Sequence, residues 1–201
     1  MPETKNDSVL KFSGDDVVGY VRKLSNAKTE SAQLIPGQTS FEIDFKRDAD
    51  TEDTKDGGFQ TSSSLETDVE IDFINNTSKI ADQLIDSIMN NEVMEIWGVN
   101  RKRKNKDGKY YAWYMRGVVS EDDNSNDAGD KSERDVSFAI QGEPQRGWLT
   151  LSADQQAELD YIFRGLDQVT EGEDGTESNG GTPWQESDAG TNVPDATPSS
   201  K

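Results

Sequence analysis

The chain has 201 residues, 40 acidic against 21 basic, a formal charge of −19 and an isoelectric point near 4.3. It holds neither Cys nor His, which excludes disulfides, thiolate nucleophiles, Cys-based zinc sites and the imidazole that most hydrolases use near neutral pH. Only 31% of residues are apolar, so the length suits one domain with a modest core plus an unfolded segment, and the charge disfavours broad binding to nucleic-acid phosphates.

Met1 to Gly14 reads as a polar arm. Its start, M-P-E-T-K-N-D-S, lacks the basic-then-apolar layout of a secretory signal. No run of about 18 apolar residues occurs, so no membrane anchor is expected. Val17 to Leu24 is a candidate strand, and Pro36-Gly37 a turn with Gly supplying positive φ. Ser40 to Arg47 alternates, with Phe41, Ile43 and Phe45 on one side and Glu42 and Asp44 on the other. Asp48 to Ser64 is a long polar excursion, of a length that is uncommon in compact domains unless it is functional or mobile. Leu65 to Phe73 alternates again. Leu65, Thr67, Val69, Ile71 and Phe73 oppose Glu66, Asp68, Glu70 and Asp72, a greasy face backed by a purely acidic one. Carboxylates two residues apart repel, so local stability does not explain that choice.

Ile80, Leu84 and Ile88 recur every four residues and predict a helix over Ser78 to Asn91, capped by Thr77 or Ser78. Val93 to Asn100 reads as a strand, Arg101 to Lys109 as a basic hairpin tip closed by Asp107-Gly108, and Tyr110 to Val119 as an aromatic-rich strand. Ser120 to Glu133 is an acidic loop by composition. Both polar loops are expected to be disordered in the free chain. Arg134 to Gln141 and Gly147 to Leu151 are strands. Ser152 opens a second helix through a Ser152/Gln155 capping box, with Leu159, Ile162, Phe163 and Leu166 as its apolar stripe. Beyond it, eight acids stand against one Lys in 167–201, a composition that stays disordered.

These elements predict an arm (1–14), a β domain (15–166) and an acidic tail (167–201). The fold class is mainly β within the α+β group: two packed antiparallel sheets, as a sandwich or flattened barrel, with one flanking α-helix, a short C-terminal helix and a disordered C-terminal tail.

Candidate chemistry is thin. Paired carboxylates could serve a glycosidase, but among 40 acids some pair always stands at a suitable distance, so no catalytic residue and no cofactor is assigned. Asp122, Asn124, Asn126, Asp130 and Glu133 fall on ligand positions of a calcium loop. Asp127 stands where that loop needs Gly, and the flanks are strand-like, which favours a solvated acidic loop. Tyr110, Tyr111, Trp113 and Tyr114 could stack bases, yet aromatics at strand spacing more often divide between core and interface. Arg101, Lys102, Arg103 and Lys104 form a compact basic patch. In so acidic a chain it suits the acidic loops of a neighbouring copy, a head-to-tail match that builds rings or filaments.

Four stretches in order, D-A-D-T-E-D-T-K-D-G-G-F, E-V-M-E-I-W-G-V-N, K-Y-Y-A-W-Y-M-R-G-V-V-S and P-Q-R-G-W-L-T-L-S, resemble the major tail proteins of long, non-contractile-tailed bacteriophages, in particular those of Gram-positive hosts. The resemblance covers Ser40 to Leu166. It implies a non-enzymatic virion protein whose hexameric rings stack into the tail tube, the conduit for genome ejection, after a period in the host cytoplasm. It further implies partners in the tape measure, distal tail and tail terminator proteins, and double-stranded DNA that passes without specific binding. In the resemblance, the loop matching Arg47 to Ser64 reaches an adjacent ring, with Asp50, Asp53, Asp56 and Gly57 its most family-like residues. A bore lined with carboxylates would keep DNA, which carries about one charge per 1.7 Å of axis, off the wall. Glu42, Asp44, Glu66, Asp68, Glu70 and Asp72 are therefore expected to face the lumen. The other open placement is outer solvent, with Lys46 or Arg22 pairing with them. An acidic DNA mimic that occupies a DNA-binding enzyme is the alternative function, although a basic tip and long loops suit it less.

Overall fold

The computed structural model describes residues 9–55, 57–152, 155–156, 166, 170–171, 177–178 and 184–189; within 50–54, 58–61 and the strands after 169 it describes the backbone alone. The chain divides into two compact units, Met1–Leu151 and Ser152–Lys201.

The first unit holds β1 (Val17–Lys23), β2 (Gln33–Leu34), β3 (Gln38–Lys46), β4 (Ala49–Thr54), β5 (Gly57–Ser62), β6 (Glu66–Ile74), α1 (Lys79–Asn90), β7 (Met94–Lys104), β8 (Tyr110–Ser125), β9 (Glu133–Ile140) and β10 (Gln145–Leu149). One antiparallel sheet runs in the order β2-β1-β7-β8-β9-β6-β3, with β10 also on β8, while β4 and β5 form a separate hairpin. The expected two packed layers are present, as two halves of this one hydrogen-bonded sheet.

The halves meet on β8. Its first part pairs with β7 from Tyr110 to Gly117, and its second part pairs with β9 from Gly117 to Ser125. At Gly117 a Cβ would stand 2.5 Å from the Ala139 carbonyl oxygen, so only glycine lets the strands approach where the sheet turns over. A register shift between Val119 and Glu121 follows at once, and such bulges bend strands.

The period-2 patterns then explain the core. Val21, Ile96 and Met115 from one layer meet Val69, Ile71, Phe73, Val136 and Phe138 from the other, and Ile80, Ala81 and Leu84 of α1 close the layer, all fully buried. Each such side chain contributes about 1.5–3 kcal/mol by leaving water. Phe41 of β3 lies over two glycines of the facing layer. A Cβ at Gly98 or Gly19 would come within 2.6 or 2.8 Å of its ring. Where β2 stops short, Gln38 replaces a strand: its side chain accepts from Gly19 N–H at 2.7 Å and donates to Gly19 C=O at 2.8 Å.

α1 begins at Ser78, whose hydroxyl accepts from Ala81 N–H, and ends at Asn91 in the left-handed region, φ 55°. It meets β8 just beyond the end of β7, where Val119 N–H donates to Ser87 Oγ at 3.2 Å, and leaves the strand from Glu121 onward without a partner on that side among the described residues. No described helix is long and apolar enough to cross a membrane.

Arg134 is 2% exposed inside the unit. Its guanidinium donates to both carboxylate oxygens of Asp122, one at 2.7 Å, and to the Ala81 carbonyl at 2.9 Å, tying β8, β9 and α1 together.

Three expectations from the sequence change. Asp48 to Ser64 is a paired hairpin, because its Thr-rich backbone finds a ladder of its own. Half of Ser120 to Glu133 is strand, since β8 continues to Ser125 and β9 begins at Glu133, and only 126–132 is loop. The basic run Arg101–Lys104 belongs to β7, leaving the tip to Asn105 through Lys109.

In the second unit, the Ser152/Gln155 capping box is present: Ser152 N–H donates to Gln155 Oε1 and Gln155 N–H to Ser152 Oγ. The rest of the expected helix, apart from Gln156 and Leu166, lies outside the described residues. β11 (Thr170–Glu171) pairs with β12 (Glu177–Ser178) inside the stretch read as tail.

Breaking the Arg134–Asp122 pair strands a charge in the core. Arg134→Met or Asp122→Asn should lower stability by about 3–5 kcal/mol in urea unfolding, and Arg134→Met with Asp122→Leu should recover most of that loss.

Candidate functional site

The register of β3, β6, β9 and the second half of β8 assembles one acidic face. Glu42 stands opposite Glu70, Asp44 opposite Asp68, and Lys46 opposite Glu66. Asp72 is opposite Asp135, which in turn is opposite Asp123, and Glu121 is opposite Ser137. All six acids singled out from the sequence lie on this face. The sequence reading missed Glu121, Asp123, Glu133 and Asp135. Asp135 was visible in the alternation of 134–141, but the β8 acids were hidden by assigning their stretch to a loop.

Like charges directly opposite destabilise a sheet. Partial burial lifts the carboxyls of Glu70 and Asp72 above the usual range, and Asp72, Glu42 and Asp135 around Glu70, and Asp135, Glu42 and Glu133 around Asp72, push further in that direction. Of the two proposed cationic partners, Lys46 is on the face opposite Glu66, whereas Arg22 lies in the other layer, 2.6 Å from Glu95. Tyr114 Oη donates to the same Glu95 at 2.8 Å.

Two flanking features accompany the face. The β4–β5 hairpin leaves it at Asp48, where Ser63 N–H donates to Asp48 C=O at 2.8 Å, Ser63 Oγ accepts from Asp48 N–H at 2.9 Å, and Arg47 donates to Ser63 C=O at 3.0 Å. Asp50 and Asp53 are in β4, Gly57 opens β5 at φ 129°, and Asp56 lies outside the described residues.

The basic run is a wide bulge, with Asn100 opposite Tyr111 and Lys104 opposite Tyr110. The Asn100 side chain holds it by accepting from Lys102 and Arg103 N–H. Arg101 donates to the Asp15 carbonyl, and Lys102 stands 3.5 Å from Asp16. Arg103 lies 4.0 Å over the Tyr111 ring and Lys104 4.4 Å over Tyr110. The aromatic strand thus divides, with Tyr110 buried and Tyr111 and Trp113 against Arg103, Arg146 and Trp148. The calcium template is broken by tertiary structure, because Asp122 points inward to Arg134.

A β-sandwich that displays an extended charged face and a projecting hairpin has the character of a structural protein. A family model described as phage tail tube protein matches residues 11–146, and the chain belongs to that family. It is 28% identical over 151 residues to a tail protein of Staphylococcus phage phiMR25, covering 71% of this chain and 74% of that protein. Its fold is similar to that of the SPP1 tail tube, with TM-score 0.66 at 19% identity over 87% of this chain and all of that one. It is also similar to a chain in the virion of a native gene transfer agent, with TM-score 0.53 at 10% identity over 68% of this chain and 99% of that one. The same TM-score and identity hold for a chain in the tail of an empty gene transfer agent particle, described with C6 symmetry, over 67% of this chain and 98% of that one.

The raised Glu70 and Asp72 carboxyls make folding take up protons. Their contribution is fully present below the unfolded carboxylate range, near about pH 4, and is lost as pH rises through their raised folded values. The urea midpoint should therefore fall from this source as the pH rises above the unfolded carboxylate range of about 4. Asp72→Asn should raise stability at pH 7 and flatten that slope.

Proposed function

We propose that copies of this chain close into hexameric rings, that the rings stack into a phage tail tube, and that the acidic face lines its bore. The observation that carries this reading is the position of the acids relative to the sheet's open edges. The face lies on β8-β9-β6-β3. Among the described residues, β3 has a partner strand on one side only, and so does β8 beyond Gly117. Two open edges at opposite ends of one curved face are what a head-to-tail ring requires, since each copy's β3 can continue the sheet of the next copy's β8. In the proposed ring the acidic side of that sheet is the one turned to the bore. The C6 symmetry of the gene transfer agent tail supports six copies per turn.

A carboxylate wall offers DNA no counterion-release gain, so the duplex slides without specific binding. The β4–β5 hairpin, with Asp50, Asp53, Asp56 and Gly57 along it, is the arm to the adjacent ring. The tape measure protein would occupy the bore before ejection, and distal tail and terminator proteins would cap the ends. The subunit acts by assembly in the virion tail, without catalysis, after synthesis in the host cytoplasm.

Negative-stain microscopy of the purified chain should show rings or tubes, and a strict monomer that binds a DNA-processing enzyme would overturn the reading. Deleting residues 49–62 should leave rings that no longer stack. Changing Glu42, Asp44 and Glu70 together to Lys should leave tubes that retain double-stranded DNA in a mobility assay, unlike the parent.

A further inference from the structure

Two exposed features outside the acidic face are complementary. On α1, Asp82, Ile85 and Met89 share one face at i, i+3 and i+7. Ile85 is 40% exposed and Met89 77%, an apolar ridge with an acid at its start. On the far flank, an open groove of about 400 Å³ runs between β3 and the bulge of β7, lined by Phe12, Ile43, Tyr111, Trp113 and Arg103. Arg103 lies flat on Tyr111 at its rim, a cation on the surface of a chain whose formal charge is −19.

α1 stands beside the β8 edge, with Ser87 turned inward to accept from Val119 N–H and the ridge on the opposite, exposed side of the helix. The groove stands beside the unpaired edge of β3, which supplies Ile43 to its wall. A head-to-tail pairing of these edges brings α1 of one copy to the β3 flank of the next.

We propose that the α1 ridge of each subunit docks in the aromatic groove of its ring neighbour, with Asp82 meeting Arg103 and Met89 meeting the Tyr111–Trp113 rings. This rests on the ring reading above and adds a second, outer layer of contact to the inner strand pairing. Thioether–aromatic packing and a charge-assisted Arg–carboxylate bond both favour this occupant.

The charges test it directly. Asp82→Arg and Arg103→Asp, each alone, should raise the protein concentration needed for tube formation about tenfold or more, read by pelleting and negative stain. An equimolar mixture of the two variants should assemble at close to the parent concentration, because each ridge then finds an opposite charge in the other variant's groove. Singles that assemble like the parent would overturn the docking, as would singles that fail and are not restored by mixing.

Because the chain contains no Cys, Met89→Cys with Phe12→Cys adds a covalent readout. Oxidised tubes should run as a ladder of linked subunits on a denaturing gel, while tubes that run as monomer would overturn the docking and leave the ring intact. A parent chain that forms neither rings nor tubes would overturn the ring reading and this contact together.

Discussion

A sheet encloses a core only by turning back over itself, and in this chain the turn is made at Gly117. β8 leaves β7 there and takes up β9, at a separation from Ala139 that admits no side chain. Everything else follows from that crossing. It sets Val69, Ile71 and Phe73 against Ile96 and Met115, lays Phe41 over Gly19 and Gly98, and leaves the second half of β8 open on one side. The bulge after Val119 and the Ser87 bond to its N–H finish the corner, so the point of greatest bending has its backbone groups answered.

The acidic face is held together against its own charge. Glu42 facing Glu70 and Asp44 facing Asp68 oppose folding, and the carboxyls of Glu70 and Asp72 are raised first by partial burial and then by the acids around them. The same strands carry the largest buried side chains on their other side, each worth more than one exposed repulsion in water. The pleat makes this arrangement possible, since alternate residues of one strand answer to separate environments. Arg134 fits the same scheme from within. It sits two residues before Val136 on a β9 face that is otherwise apolar, and the bond to Asp122 keeps its charge from being buried alone.

Cations and acids are sorted by position. Lys46 stands on the acidic face, and Arg22 and Arg116 serve Glu95 and Tyr114 on the other layer. Arg103, Lys104 and Arg146 lie on aromatic rings beside the β3 edge. A strongly negative subunit that must meet copies of itself needs local attraction to overcome net repulsion. In the docking proposed above, Arg103 and the aromatic rings on one flank and Asp82 and Met89 of α1 on the other give that attraction a direction.

Period-2 alternation in 41–45 and 65–73, the four-residue recurrence in 80–88 and the Ser152/Gln155 box were legible in the sequence, because each depends on residues near one another in the chain. Local pattern alone thereby determined the apolar-faced strands, α1, the mainly β class and six acids of one face, and missed β2, β4 and β5. The acids of β8, the inward turn of Asp122, the β4–β5 pairing and the membership of Arg101–Lys104 in β7 came only with tertiary structure. Each of those depends on a pairing that no local period marks: Asp135 for Asp123, Arg134 for Asp122, Ser62 for Ala49, Tyr110 for Lys104. A polar, acidic segment has no hydrophobic period to announce itself, so whether it becomes loop or strand is decided by the backbone groups waiting beside it.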